Sequence, residues 1–279
     1  MTQAARVILI TGCSSGIGYH CAHALRARGW RVFASCRAQA DCDRLIGEGF
    51  ESPRLDYRDN NSIASALDEV LAATGGRLDA LFNNGAYAIP GAVEDLPSDA
   101  LRAIFEVNLF GTHELTRRVI AVMRAQGSGR IVQNSSVLGY TPYRWRGAYG
   151  ATKFALEGLS RVLQLELSDT KIKLVLIQPG PITSEFRNNA IPHFERWIDW
   201  ENSARADQYR DELRPHLYEG GAKKSRFELG PEAVAKVLVK ALEHPNPRPR
   251  YIVTTPAKLV AYALRLLPDR VINAFLARQ

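Results

Sequence analysis

Long hydrophobic runs are missing from this chain. Its apolar stretches are broken by Arg or Lys well short of the roughly 18–20 residues that a bilayer-spanning helix needs, so no transmembrane span is expected. Cysteine is scarce and lies at one end: Cys13, Cys21, Cys36 and Cys42 all fall in the first 42 of 279 residues. None forms a CxxC, and no Cys/His spacing fits a zinc site, so no metal is expected. Reduced thiols used as small apolar side chains, in a cytoplasmic protein, are the expectation. A secretory leader is not visible either, because "ARVILITG" enters an apolar strand almost at once with no small-residue cleavage pattern. Internal repeats and low-complexity linkers are absent. Concentrated charge is also lacking. The net charge is +7, yet the 36 Lys and Arg are spread along the chain. The compact basic clusters are Lys223-Lys224-Ser225-Arg226 and the Arg248/Arg250 pair. A nucleic-acid binder would gather its charge into a stripe or tail, so no nucleic-acid partner is expected. The basic balance suits an anionic small molecule.

What the chain does contain is alternation. Apolar, β-branched runs at Arg6–Ile10, Arg31–Ser35, Ser52–Asp56, Leu78–Asn83, Gly129–Ser135, Lys171–Gln178 and Arg250–Thr254 read as strands. Helical patterns at Gly16–Arg28, Gln39–Gly47, Ser62–Thr74, Asp99–Gln126, Tyr149–Ser168 and Pro231–Glu243 separate them. "VILIT", "ALFNN", "IVQNS" and "KLVLIQ" are continuously apolar, as strands buried on both faces of a parallel sheet must be. The pattern predicts a single doubly wound α/β domain of Rossmann type with a seven-stranded parallel sheet.

Residues 184–229 interrupt that rhythm. The stretch carries Phe186, Phe194, Trp197, Trp200, Tyr209 and Tyr218, too aromatic for a polar disordered loop. Two readings stand: a helical subdomain packed on the sheet edge, or a lid over an apolar substrate pocket. The C-terminal extension, residues 256–279, suggests two amphipathic helices broken near Pro268. Those helices would pack on the protein's own core, on a second subunit, or weakly on a membrane surface.

The first strand runs directly into "TGCSSGIG" and then a helix. Gly12, Gly16 and Gly18 stand where the chain must turn sharply and let a pyrophosphate approach the backbone. The helix start beyond them offers free N–H groups and a favourable dipole to that anion. Further motifs follow in order: Asp56, "NNGA" (83–86), Asn108 in "VNLFG", "NSS" (134–136), Tyr149-x-x-x-Lys153, and "PGPI" (179–182). Together they resemble the short-chain dehydrogenase/reductase family over residues 6 to about 255. "PGPITSEF" and "YGATKFALEGL" are similar to its retinol and hydroxysteroid dehydrogenase-like branch.

The resemblance implies an oxidoreductase that moves a hydride between a nicotinamide nucleotide and a carbonyl or alcohol carbon. It implies a cofactor site from Gly12, Ser14, Ser15, Gly16, Ile17, Gly18, Arg37, Asp56, Asn83, Gly85, Tyr149, Lys153, Pro179, Gly180, Ile182 and Ser184. It implies a catalytic set of Asn108, Ser136, Tyr149 and Lys153, with Asn108 ordering a water beside the lysine. Ser136 precedes Tyr149 by 13 positions, the family spacing; Ser135 is the alternative, expected to face the cofactor or strand end. Tyr149 and Lys153 share a helix face at i and i+4. An ammonium there and the oxidised nicotinamide would both lower the phenol's ordinary pKa of about 10 and suit Tyr149 to general acid and base work.

Two departures from the family pattern are visible. "NNAG" stands as "NNGA", and Ser184 occupies the threonine position of the PGxVxT motif. At the end of the second strand, Cys36 replaces the carboxylate that would hold a ribose 2′-hydroxyl, and Arg37 follows. A guanidinium there favours NADP(H), with NAD(H) the alternative. The branch resemblance and the aromatic stretch predict a bulky apolar aldehyde, ketone or alcohol as substrate. Residues 99–126 and 149–168 carry apolar residues on more than one side, and the resemblance implies that these helices build a homodimer or homotetramer. A nucleotide-binding sensor without turnover is the other functional class, which a broken catalytic set would favour; here the set is intact.

Overall fold

A computed structural model describes residues 5–218 and 227–277. The Lys223–Arg226 cluster, residues 219–226 of the aromatic insertion and the last two residues lie outside the described residues.

The strands are short, and every residue of all six is half-buried or better. β1 (Val7–Ile10), β2 (Arg31–Ala34), β3 (Ala80–Asn83), β4 (Gly129–Asn134), β5 (Ile172–Gln178) and β6 (Arg250–Ile252) form one parallel sheet in the order β2-β1-β3-β4-β5-β6. Their side chains alternate between two cores. Ile8, Ile10, Phe82, Val132 and Ile177 face α1 (Gly16–Arg26) on one side. Leu9, Leu81, Ile131 and Leu174 face the other, against α3 (Asn60–Thr74) and α5 (Thr112–Gln126). Both faces are covered, which is why the runs are apolar throughout rather than alternating. Each fully buried aliphatic side chain contributes roughly 1.5–3 kcal/mol. Leu9→Ala would remove contacts on a face with no exposure and cost about 2–5 kcal/mol.

Among the described residues the sheet has six strands, not seven. The run expected as a strand at Ser52–Asp56 makes only single bridges, Phe33 to Glu51 and Cys36 to Arg54. Pro53 stands between the two bridges and has no N–H to donate, so the ladder cannot continue along this edge. The long helix expected over 99–126 is also divided. α4 (Ser98–Phe105) passes through a π-helical segment, Glu106–Gly111, before α5 begins.

Between these, α2 (Gln39–Gly47) follows β2, and α6 (Gly147–Glu166) leads to β5. Beyond β5 come α7 (Ile191–Trp197), α8 (Ala206–Gln208), a second π segment at Tyr209–Leu213, and α9 (Arg214–Tyr218). Then α10 (Glu232–Glu243) packs beside α1, and α11 (Thr255–Leu266) and α12 (Asp269–Leu276) flank Pro268. A third core joins the aromatic insertion to the chain after β3: Phe194, Ile198, Tyr209, Leu213 and Leu217 pack with Ala88, Ile89, Ile104 and Tyr149. No described helix is long and apolar enough to cross a membrane.

Candidate active site

The C-terminal ends of β1 to β5 open at one edge of the sheet. Order reverses between β1 and β3, since β2 lies on one side of β1 and the later strands on the other. In doubly wound sheets ligands bind in the crevice at such a reversal. Gly12 turns out of β1 with φ +67°, and a Cβ there would sit 2.7 Å from the Cα of Gly85. A Cβ on Gly18 would sit 2.2 Å from the carbonyl oxygen of Gly12. The glycines therefore let three backbone segments close on each other. Ser15 starts α1 without a side-chain cap, so the first-turn N–H groups remain available to an anion. These features fit a dinucleotide's pyrophosphate.

Asn84 clasps this turn. Its amide nitrogen donates to the carbonyls of Thr11 and Gly12, at 3.0 Å each, and its oxygen accepts from Asn134 at 2.8 Å. The hydroxyl of Thr11 accepts from the N–H groups of Asn84 and Gly85. The exchanged "NNGA" order thus puts the glycine where Gly12 comes closest. Asn83, expected at the cofactor, instead turns its side chain into the interior, bonded to Tyr57 at 2.8 Å and Thr116 at 2.9 Å. The residue that shapes the turn is its neighbour; an Asn pair at a strand end was the visible signal.

Arg37 is exposed at the end of β2, with Ser14 exposed across the turn. Burial opposes ionisation of Asp56, but the Arg58 guanidinium and backbone N–H hold its carboxyl below the usual range, with Arg37 acting in the same sense. Arg58 was not foreseen. Ser184 lies against Gly16, Ile182 bridges to Leu229, Pro179 accepts the N–H of Val137 at 2.7 Å, and Gly180 packs on Thr254.

At the other end of the crevice α6 carries Tyr149 and Lys153, with 8% and 3% exposure. Ser136 follows β4 and reaches the phenol, favouring its ionised form, but burial outweighs this and pushes Tyr149 well above the ordinary phenol value. The expected lowering by Lys153 is not what the geometry gives. The ammonium lies 5.5 Å from the ring centre and donates to the carbonyl of Asn134 at 2.7 Å. Burial lowers Lys153 to about 8, opposed by the charge of Glu157. Glu157 is itself buried, accepting from Gln178 at 2.8 Å and Arg161 at 3.2 Å. It sits one turn beyond Lys153, a spacing readable in "KFALE". The Ser135 hydroxyl is buried against Gly139, without a hydrogen-bond partner among the described residues.

Asn108 lies in the π segment, where an extra residue in the turn swings it out of the helical ladder. Its side chain brackets the Tyr87 peptide, accepting at 3.1 Å and donating at 2.9 Å, and donates to Thr152 at 3.2 Å. Thr152 in turn bonds the carbonyl of Tyr149 at 2.8 Å. Asn108 therefore reaches α6 through Thr152 and not through Lys153. Above the phenol, Phe186 presents its ring at 5.2 Å and 65° while remaining 37% exposed. Tyr209 and Phe194, by contrast, are spent on the third core. The Tyr209 hydroxyl bonds Asp95 at 2.7 Å and the N–H of Ala92 at 2.8 Å.

Comparison with known proteins identifies the family. Residues 6–193 match the short chain dehydrogenase family model. An uncharacterized oxidoreductase of Escherichia coli, YbbO, is 38% identical over 96% of this chain and 93% of its own length. Human 17-beta-hydroxysteroid dehydrogenase type 1 is 34% identical over 90% of this chain and 78% of its own. A short-chain dehydrogenase structure from Streptomyces avermitilis superposes with a TM-score of 0.76 at 28% identity, covering 100% of this chain and 97% of its own. The chain belongs to the short-chain dehydrogenase/reductase family and is an oxidoreductase that works between an alcohol and a carbonyl with a nicotinamide nucleotide.

Proposed function

We propose that the protein uses NADP(H) to interconvert an alcohol and an aldehyde or ketone on a bulky, largely apolar substrate, with Tyr149 moving the proton. The observation that carries this reading is a phenol buried at 8% exposure between Ser136 and a buried Lys153. When bound, the nucleotide supplies a hydride to the carbonyl carbon in reduction and accepts one in oxidation.

The chain's own residues do the rest. Ser136 holds the substrate oxygen where charge develops, and Tyr149 gives it a proton in reduction or removes one in oxidation. Burial keeps the phenol protonated in the protein alone, the form required for reduction. Lys153 is placed to hold the ribose and to return the proton, and Asn108 fixes the start of α6 through Thr152. Gly12, Ser14, Ser15, Gly16, Ile17, Gly18, Gly85, Pro179, Gly180, Ile182 and Ser184 form the nucleotide groove. Arg37 meets the 2′-phosphate that Cys36, lacking a carboxylate, does not repel.

Residues 184–229 act as the substrate lid, with Phe186 the aromatic that meets the reacting end. Exposed Phe154, Leu159, Val162 and Leu165 on α6 support a homo-oligomer, and exposed Leu259, Tyr262 and Leu266 on α11 support a second apolar contact, with a subunit or a membrane surface. The location proposed is cytoplasmic.

The test is NADPH consumption over a panel of apolar aldehydes and ketones. Tyr149→Phe should lower kcat at least about 100-fold; turnover that survives the substitution removes Tyr149 from this role. The dissociation constant for NADPH should lie well below that for NADH, and equal values would count against Arg37.

A further inference from the structure

One turn before Tyr149 the backbone is strained. Trp145 is the one described non-glycine residue with positive φ, +66°, a conformation that persists only where the surroundings enforce it. Its ring packs on Tyr209 at 4.8 Å, and its carbonyl accepts from the N–H of Gly91 at 3.0 Å. Gly91 also bridges to Arg146, the residue that starts α6. The strain therefore fixes where the Arg146 side chain leaves the backbone, on the turn that carries the phenol.

Arg146 is half-buried, and its guanidinium has no hydrogen bond or carboxylate partner among the described residues. Burial and then the charge of Arg187 disfavour its cation; the opposing influence is the phenol of Tyr143, not a carboxylate. Arg187 directly follows Phe186, whose ring meets Tyr149, and among the described residues it too has no carboxylate partner. His216 on α9 faces the same two groups. Its imidazolium is disfavoured by burial first and then by Arg187 and Arg146. Among the described residues, Glu212 bonds Arg144 at 3.2 Å, Glu195 bonds Tyr218 at 2.9 Å and Glu185 bonds Asn188 at 2.6 Å. This group is separate from the basic cluster of Arg37, Arg58 and Arg196, which acts on Tyr87 and His193 at the nucleotide end.

Two guanidiniums that act on each other repel, and Arg146 loses hydration as well, a cost that an anion would relieve. Arginine's planar fork matches a carboxylate. We propose that Arg146 and Arg187 bind a carboxylate at the end of the substrate remote from its carbonyl, so that the substrate is an oxo acid, or the corresponding hydroxy acid, with an apolar body. This rests on the reading of the crevice as an oxidoreductase site with Tyr149 at its centre. It gives the positive charge at the mouth a use that a wholly apolar substrate would not.

The experiment compares para-formylbenzoate and a medium-chain ω-oxo acid with their methyl esters, at saturating NADPH. The wild-type protein should favour the acids in kcat/KM by at least about tenfold, as a charge-assisted hydrogen-bonded pair predicts. Arg187→Gln, on a surface segment, should bring the acid-to-ester ratio close to one, and Arg146→Gln should do the same if it folds. Equal use of acid and ester by the wild type, or a ratio that Arg187→Gln leaves unchanged, overturns the proposal while leaving the oxidoreductase reading intact. Equilibrium binding of the same acids and esters with NADP+ present, read by isothermal titration calorimetry, covers the absence of turnover. An Arg187-dependent preference for the acid in binding, without reduction, would support the anion site and sink the proposed reaction. Equal binding of both, without turnover, would sink the anion site.

Discussion

The two ends of the crevice are built from different materials. At the nucleotide end, backbone meets backbone: Gly12 against Gly85, Gly18 against the carbonyl of Gly12, with the Asn84 amide closing the turn. At the substrate end, side chain meets side chain, with Tyr209, Phe194 and Trp145 packed over the chain after β3. A backbone-built site tolerates no added atom. A side-chain-built site can exchange one apolar surface for another of similar volume. On the proposed function, the consequence is a cofactor end held to one shape and a substrate end free to diverge.

Substitutions at each end should separate these properties. The largest effect is expected for Gly18→Ala, whose new methyl would lie 2.2 Å from a backbone oxygen that cannot move aside. NADPH affinity measured by calorimetry should fall at least about 100-fold, or the protein should fail to fold; near-normal affinity would break the contrast. Next comes Lys153, where the two ends meet. It titrates at about 8 in the fold against an ordinary 10.5. Between those values the unfolded chain holds the extra proton, so stability should rise with pH across that window. Below about 8 both states are charged and the penalty is constant. Denaturant melts should show this rise in the wild type relative to Lys153→Met; parallel curves would remove Lys153 as its source.

A smaller loss is expected from Tyr209→Phe, which deletes bonds to Asp95 and Ala92. Stability should drop by about 2 kcal/mol, with NADPH affinity unchanged because the third core does not touch the glycine turn. The smallest is Arg37→Ser, expected to weaken NADPH about tenfold and NADH hardly at all, as loss of one exposed phosphate contact implies. Equal weakening of both nucleotides would remove Arg37 from phosphate recognition.

The same contrast explains what could be read before the structure. The glycines of "TGCSSGIG" and the Tyr149/Lys153 spacing were legible because backbone approach and helical repeat leave fixed intervals in a sequence. Pro53 shows why the seventh strand failed: the apolar run was present, but one missing N–H stops a ladder. The π segment at 106–111 left no mark, since its composition suits an ordinary α-helix and only tertiary contact shows the extra residue. The aromatic insertion was visible by its composition, yet nothing in it told Phe186, which meets the phenol, from Tyr209, which is buried as a strut. The tuning of Tyr149 was misjudged for a related reason: the i, i+4 spacing gives adjacency, while burial and the capture of Lys153 by Asn134 arise from the fold around them.

The Asn84 clasp also bears on how the molecule ages. Asn followed by Gly is the pair whose amide is lost most readily, because the glycine nitrogen attacks the asparagine side chain to form a cyclic imide. Here that nitrogen donates to Thr11 at 3.1 Å, and the amide is tied to the carbonyls of Thr11 and Gly12. The resting fold thus withholds both reactants from each other. Deamidation is open only to a chain whose glycine turn has come apart, and the product, an aspartate oxygen facing two carbonyl oxygens, would keep that turn from closing again.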